Sequence, residues 1–176
     1  MAPNAEGVMR KIPEEVRLEP GWALARFGDG GWWPAVERGL KSGVFEDDVV
    51  MALAAIARDP SRVVGGPIAW VTAVPSVRLG DVVPGLARSV AGQLGVPFVD
   101  LVARVADRPP QREMANAAQQ AANVRGAFRV TGAPPPGCGL LLDDRRSSGW
   151  TLAMVGGQLR QAGAERIVPV TLGALG

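Results

Sequence analysis

Apolar and polar positions alternate along this chain in two rhythms. A continuous apolar run of strand length occurs at 68–74, and further stretches read as strands lie at 23–27, 97–105, 124–130, 140–142 and 167–171. Between them lie stretches with helical spacing. Trp32, Trp33 and Pro34 open one that Gly43 ends. Glu46, Asp47 and Asp48 precede a second, whose stripe is Val49, Leu53 and Ile56. A third is predicted over 81–94, and a fourth over 151–161 with Leu152, Val155 and Leu159 on one face and Gly163 beyond it. The stretch 112–123 is polar and reads as a helical segment or an ordered loop.

Strands that alternate with helices imply βαβ crossovers, so the expected fold class is α/β with a mainly parallel sheet flanked by helices. The 176 residues suffice for one ordinary domain, and 47% hydrophobic residues supply a core. Residues 1–20 are polar and punctuated by proline, and read as an irregular arm. The predicted organisation is an N-terminal arm with a small helical section over 1–60 and an α/β domain over 61–176. Trp22, Trp32 and Trp33 in the first section suit packing against the sheet or stacking on a base.

Composition removes several chemistries. Histidine is absent and Cys138 is the single cysteine, which excludes Ser-His-Asp and Cys-His catalysis, an internal disulfide and a closed zinc shell. No apolar run approaches the roughly 20 residues that cross a bilayer, and the chain opens without a signal-peptide pattern, so a cytoplasmic protein with no membrane partner is expected. The formal charge is only +2. From Leu101 to Trp150, however, seven arginines stand against four acidic residues. That surplus suits a polyphosphate, a nucleic-acid backbone or a solvated surface.

Chemistry concentrates at 140–151, LLLDDRRSSGWT. An apolar strand runs into Asp143 and Asp144, then Arg145, Arg146, Ser147, Ser148, Gly149, Trp150 and Thr151. A doubly acidic step at the end of a buried strand is costly unless the carboxylates meet water, a cation or donors. The hydroxyls and the glycine then lead into a helix whose first turn has unpaired N–H groups, a receptacle for phosphate. The same residue types also make ordinary turns and N-caps, and the residues alone leave both uses open. A second candidate loop, PSVRLG at 75–80, follows the 68–74 strand, at the edge of a parallel sheet where ligands bind.

The order of strand, two carboxylates, a two-residue gap and [ST]-[ST]-G-x-T resembles the phosphoribosyl-pyrophosphate (PRPP) motif of type I phosphoribosyltransferases, matched by Asp143, Asp144, Ser147, Ser148, Gly149 and Thr151. The stretch 107–128, with Pro110, Gln111, Met114, Asn116, Gln119, Gln120, Asn123, Gly126, Ala127 and Phe128, resembles ComF-type competence proteins. It is also similar to phosphoribosyltransferase-like domains at the carboxyl end of some bacterial RecQ-class DNA helicases. The resemblance implies a type I phosphoribosyltransferase-like fold over 61–176, with a hood drawn from the N-terminal section. It implies that Asp143 and Asp144 hold the ribose hydroxyls and meet Mg²⁺ through the ligand or water, and that the Ser147–Thr151 loop takes the 5′-phosphate. Ser76, Val77 and Arg78 would form the pyrophosphate loop, with Arg112, Gln119, Asn123, Arg145 and Arg146 as further cleft candidates. Family members carry an apolar residue after the paired aspartates, where this chain has Arg145.

The reaction so implied displaces pyrophosphate from the anomeric carbon of PRPP by a nitrogen nucleophile. Two other readings stand beside it. One is a non-catalytic accessory module of DNA helicase or DNA-uptake machinery that binds single-stranded DNA or the helicase; the other is a structural α/β domain with an empty pocket. Acceptor and oligomeric state stay open.

Overall fold

The structure, a computed structural model, describes residues 2–3, 9–10, 18–59, 61–63, 66–76, 78–105, 127–146 and 149–174, with only the backbone described at 2–3, 9–10 and 146. Two short strands, β1 (Ala2–Pro3) and β2 (Met9–Arg10), pair antiparallel. The main sheet contains β3 (Trp22–Arg26), β4 (Ile68–Ala73), β7 (Cys138–Arg146) and β8 (Arg166–Ala174), in the order β3-β8-β7-β4 with every pair parallel. Phe98 extends it by a parallel bridge to Val71. A separate antiparallel pair joins β5 (Val102–Arg104) to β6 (Phe128–Val130). The α/β class with a mainly parallel sheet therefore holds.

Helices cover both faces, and the alternation of each strand decides which residues they cover. On one side lie α1 (Trp33–Ser42), α2 (Asp47–Arg58) and α3 (Val82–Leu94). Their Val36, Val49, Leu53, Val83 and Leu86 share a core with Leu140, Leu142, Val168 and Val170. On the other side α4 (Trp150–Gln161) packs Trp150, Leu152, Val155 and Leu159 on Leu141, Trp70 and Ile167. Leu140, Leu141 and Leu142 are all fully buried because β7 is interior and covered on both faces. The helix boundaries follow the local signals. Pro34 opens α1 and Gly43 closes it in the left-handed region; Asp47 and Asp48 stand in the first turn of α2, with Arg58 in the last.

Residue 60 falls between α2 and β4, and the elements on its two sides share this sheet and core: β3 pairs with β8, and α2 packs on α3. Trp22 packs against the core and donates its Nε1–H to the carbonyl of Arg62 at 2.9 Å. Three regions depart from the expectation: the arm expected to be irregular holds β1 and β2, the strand expected over 97–105 is confined to a bridge at Phe98 and to β5, which pairs antiparallel outside the main sheet, and β7 outruns its apolar stretch. Its apolar part ends at Leu142, yet the strand continues to Arg146, because Asp143, Arg145 and Arg146 pair in register with Thr171, Gly173 and Ala174 of an equally long β8. Backbone pairing with a neighbour overrides the polarity of the side chains.

Candidate functional site

The carboxyl ends of the parallel strands, where unpaired backbone groups and loops converge, carry a polar pocket of about 180 Å³. Its floor is the end of β7. Asp143 faces the same side as Leu141 and is only 6% exposed. Burial first, and the neighbouring charge of Asp144 second, push its carboxyl well above the usual carboxylate range, against the opposing pull of the Asp144 N–H and of Arg145. That N–H donates to Asp143 Oδ1 at 2.8 Å. Asp144 turns outward and forms ion pairs with Arg145 Nε at 3.5 Å and Arg78 Nη2 at 3.7 Å, both to the same Oδ2. The two carboxylates thus differ: one is buried without a cation in ion-pair range among the described residues, the other is neutralised by two arginines.

Three elements wall the pocket. The first is the N-terminal end of α4, where Gly149, Thr151 and Leu152 line the cleft. Gly149 is the N-cap with φ 75, a left-handed conformation that glycine adopts without strain, and among the described residues no side chain caps the helix. Its first-turn N–H groups have no intrahelical acceptor. The indole of Trp150 is buried in the core beneath α4, and this residue, expected at the phosphate site, is not among those that line the pocket. The second wall is Pro75 and Ser76 after β4, in a turn closed by a bridge from Ser76 to Gly80. Arg78 reaches Asp144 from this turn.

The third wall comes from β5 and β6, through Arg104 and Phe128. The guanidinium of Arg104 lies 5.8 Å from the ring centroid of Phe128. Sequence reasoning singled out neither as a wall of this cleft. They are 24 positions apart, and only the antiparallel register, which places Arg104 opposite Phe128, brings them to one spot. The available signal was the arginine at the end of an apolar strand.

Of the residues expected at the site, Ser76, Asp143, Asp144, Arg145, Gly149 and Thr151 line this one pocket, and Arg78 joins it through Asp144. Val77, Arg112, Gln119, Asn123, Ser147 and Ser148, and the side chain of Arg146, lie outside the described residues. So does most of the stretch that resembles the ComF and helicase-associated proteins. Among the described residues no three His, Cys, Asp or Glu side chains come together, and the carboxylates that line this pocket are Asp143 and Asp144. Nor is any described helix long and apolar enough to cross a membrane.

No family model and no curated protein matches the sequence. Among solved structures, the chain is similar to an adenine phosphoribosyltransferase at 16% identity, covering 74% of this chain and 72% of the other with a TM-score of 0.48. It is likewise similar to adenine phosphoribosyltransferase from Leishmania tarentolae, at 12% identity over 79% of this chain and 73% of that one, with a TM-score of 0.48. An allosteric regulatory enzyme of purine biosynthesis is similar at 17% identity over 70% of this chain and 25% of that one, with a TM-score of 0.45. What the pocket can bind is decided by its own residues.

Proposed function

We infer that the chain has a phosphoribosyltransferase-like site that binds PRPP or a related ribose phosphate. The observation that carries this reading is the paired carboxylates Asp143 and Asp144 sharing one cleft with the first turn of α4. Carboxylates accept hydrogen bonds from sugar hydroxyls, while open helix N–H groups take a phosphate. A ligand bearing both groups a few bonds apart matches that juxtaposition. In this assignment the 5′-phosphate lies at Gly149 and Thr151 together with Ser147 and Ser148, and the ribose hydroxyls lie on Asp143 and Asp144. The pyrophosphate lies toward Ser76, Arg78 and Arg104.

Two carboxylates, with no third such ligand among the described residues, suit a Mg²⁺ that arrives with phosphates rather than one caged by the protein. When bound, such an ion neutralises pyrophosphate as a leaving group. The residues of this chain orient the sugar, keep the anions apart and present the anomeric carbon to a nitrogen nucleophile. Transfer of the phosphoribosyl group with release of pyrophosphate is the reaction this arrangement suits. The expected setting is a cytoplasmic one.

The test is a calorimetric titration of PRPP with Mg²⁺ into the protein, with ribose 5-phosphate as control. Saturable binding of both, tighter for PRPP, is expected. Asp143→Asn with Asp144→Asn should fold and lose about 100-fold or more in affinity, equivalent to roughly 3 kcal/mol. Absence of heat with the wild-type protein, or unchanged affinity in the double variant, overturns the assignment. Salt-dependent binding of single-stranded DNA in its place would move the chain to the accessory-module class.

A further inference from the structure

Arg145 lines the pocket beside Asp144, and the fold has built a seat for it. On β8, Gly173 stands opposite Arg145. A Cβ at Gly173 would lie 2.8 Å from Phe27 and 3.0 Å from Trp33, so the missing side chain is what lets these rings rest on the strand end. Phe27 and Trp33 meet edge to face, with centroids 4.6 Å apart and planes at 86°. The turn that carries them is pinned by Asp29, whose carboxylate accepts the backbone N–H groups of Arg26, Gly31 and Trp33 at 3.1, 3.3 and 3.4 Å. Over this platform the Arg145 guanidinium sits 5.8 Å from the Phe27 centroid, while its Nε faces Asp144 at 3.5 Å. The side chain is 43% exposed and lines the pocket. Among the described residues only Nε is engaged, which leaves the outer fork of the guanidinium for a ligand.

A ligand without a carboxylate offers the outer edge of this arginine no pair of in-plane acceptors, so it would strip water from those N–H groups without replacing it. A carboxylate replaces that water with two parallel charge-assisted hydrogen bonds. With the α4 end, the 75–80 turn and Arg104 assigned to the two phosphate ends of the sugar, Arg145 is the lining cation assigned to neither, and it is available to the molecule that attacks the anomeric carbon. We propose that Arg145, seated by Phe27 and Asp144, is the specificity-determining residue for that acceptor, and that the acceptor carries a carboxylate. This inference rests on the ribose-phosphate reading of the same pocket.

The experiment uses the full chain saturated with ribose 5-phosphate and compares matched ligands that differ in the carboxylate: nicotinate against nicotinamide, and orotate against uracil. The carboxylated member of at least one pair should bind about tenfold tighter or more. Arg145→Met, which keeps the stem and removes the charge, should bring that ratio close to one, and Arg145→Lys should restore part of it. Phe27→Leu, which keeps the charge and removes the ring beneath it, should lower the ratio by about two- to fivefold. A ratio compares two ligands on one protein, so partial unfolding of a variant does not mimic the effect. Equal affinities within both pairs on the wild-type chain overturn the proposal, as does a preference that survives Arg145→Met. Loss of pyrophosphate affinity in Arg145→Met with the ratio intact also overturns it, by placing Arg145 on the leaving group. Failure of ribose 5-phosphate and PRPP to bind the wild-type chain at all removes the ribose-phosphate reading itself; binding without carboxylate discrimination removes this inference alone.

Discussion

The two ends of the sheet each carry a hollow, and they differ in size and in chemistry. At the amino end of β4, Ala57, Val63, Pro67, Ile68 and Leu94 surround a mainly apolar space of about 460 Å³. At the carboxyl ends lies the polar pocket of about 180 Å³, walled by Asp143, Asp144, Arg104, Arg145 and the start of α4. The larger hollow lies between the carboxyl ends of α2 and α3 and the start of a strand, where apolar side chains meet imperfectly. In the smaller one every wall brings a charged or hydrogen-bonding group, and it contains the one strand end at which a carboxylate is buried. Volume marks loose packing; convergent polar groups mark a site.

Substitution at each end should separate these roles. The largest expected effect is on stability at the apolar end. Ile68→Ala removes buried methyl groups and should cost about 2–4 kcal/mol in denaturant unfolding, with ribose-phosphate affinity of the folded protein unchanged. A parallel loss of affinity would show that the two hollows are coupled. At the polar end Arg104→Met should weaken pyrophosphate or PRPP binding of the folded protein by about tenfold, roughly 1.4 kcal/mol. An unaltered isotherm would remove the β5–β6 wall from the ligand site.

The smallest effect concerns pH. Because the Asp143 carboxyl is raised in the folded state, the folded chain holds a proton that the unfolded chain has released. That difference opens as pH rises past the ordinary carboxylate range near ~4 and closes above the raised folded value, where the loss of stability is complete. Through this window the wild-type protein loses stability. Asp143→Asn has no proton to lose, so it should match the wild type near pH 4 and melt roughly 2–4 °C higher at pH 8. The same variant should bind the sugar phosphate poorly. A variant less stable than the wild type at pH 8 would mean that the buried carboxyl is held by partners other than those described.

Much of this architecture was legible along the chain because it depends on local rules. Apolar runs marked β4 and β8, the acidic first turn and apolar stripe marked α2, and Pro34 and Gly43 bounded α1. The candidate site was legible where its residues are contiguous: Asp143 to Thr151 declare themselves within nine positions. Illegible were contributions that depend on pairing between distant segments. Nothing near Arg104 points to Phe128, and nothing near Phe27 points to Arg145; these meetings follow from register across β5–β6 and from the order β3-β8-β7.

The sequence by itself determined the element types, the parallel α/β class and the residue chemistry of the DDRRSSG loop, since propensity, capping and alternation act within a few residues. Only the tertiary structure decided that β7 runs on through its aspartates. It also decided that Asp143 is buried while Asp144 is shared between two arginines, and that Arg145 lies on an aromatic seat above Gly173. The physical reason is common to all three. Desolvation, charge pairing and close packing depend on distances between strands, and those distances exist only once the sheet has formed.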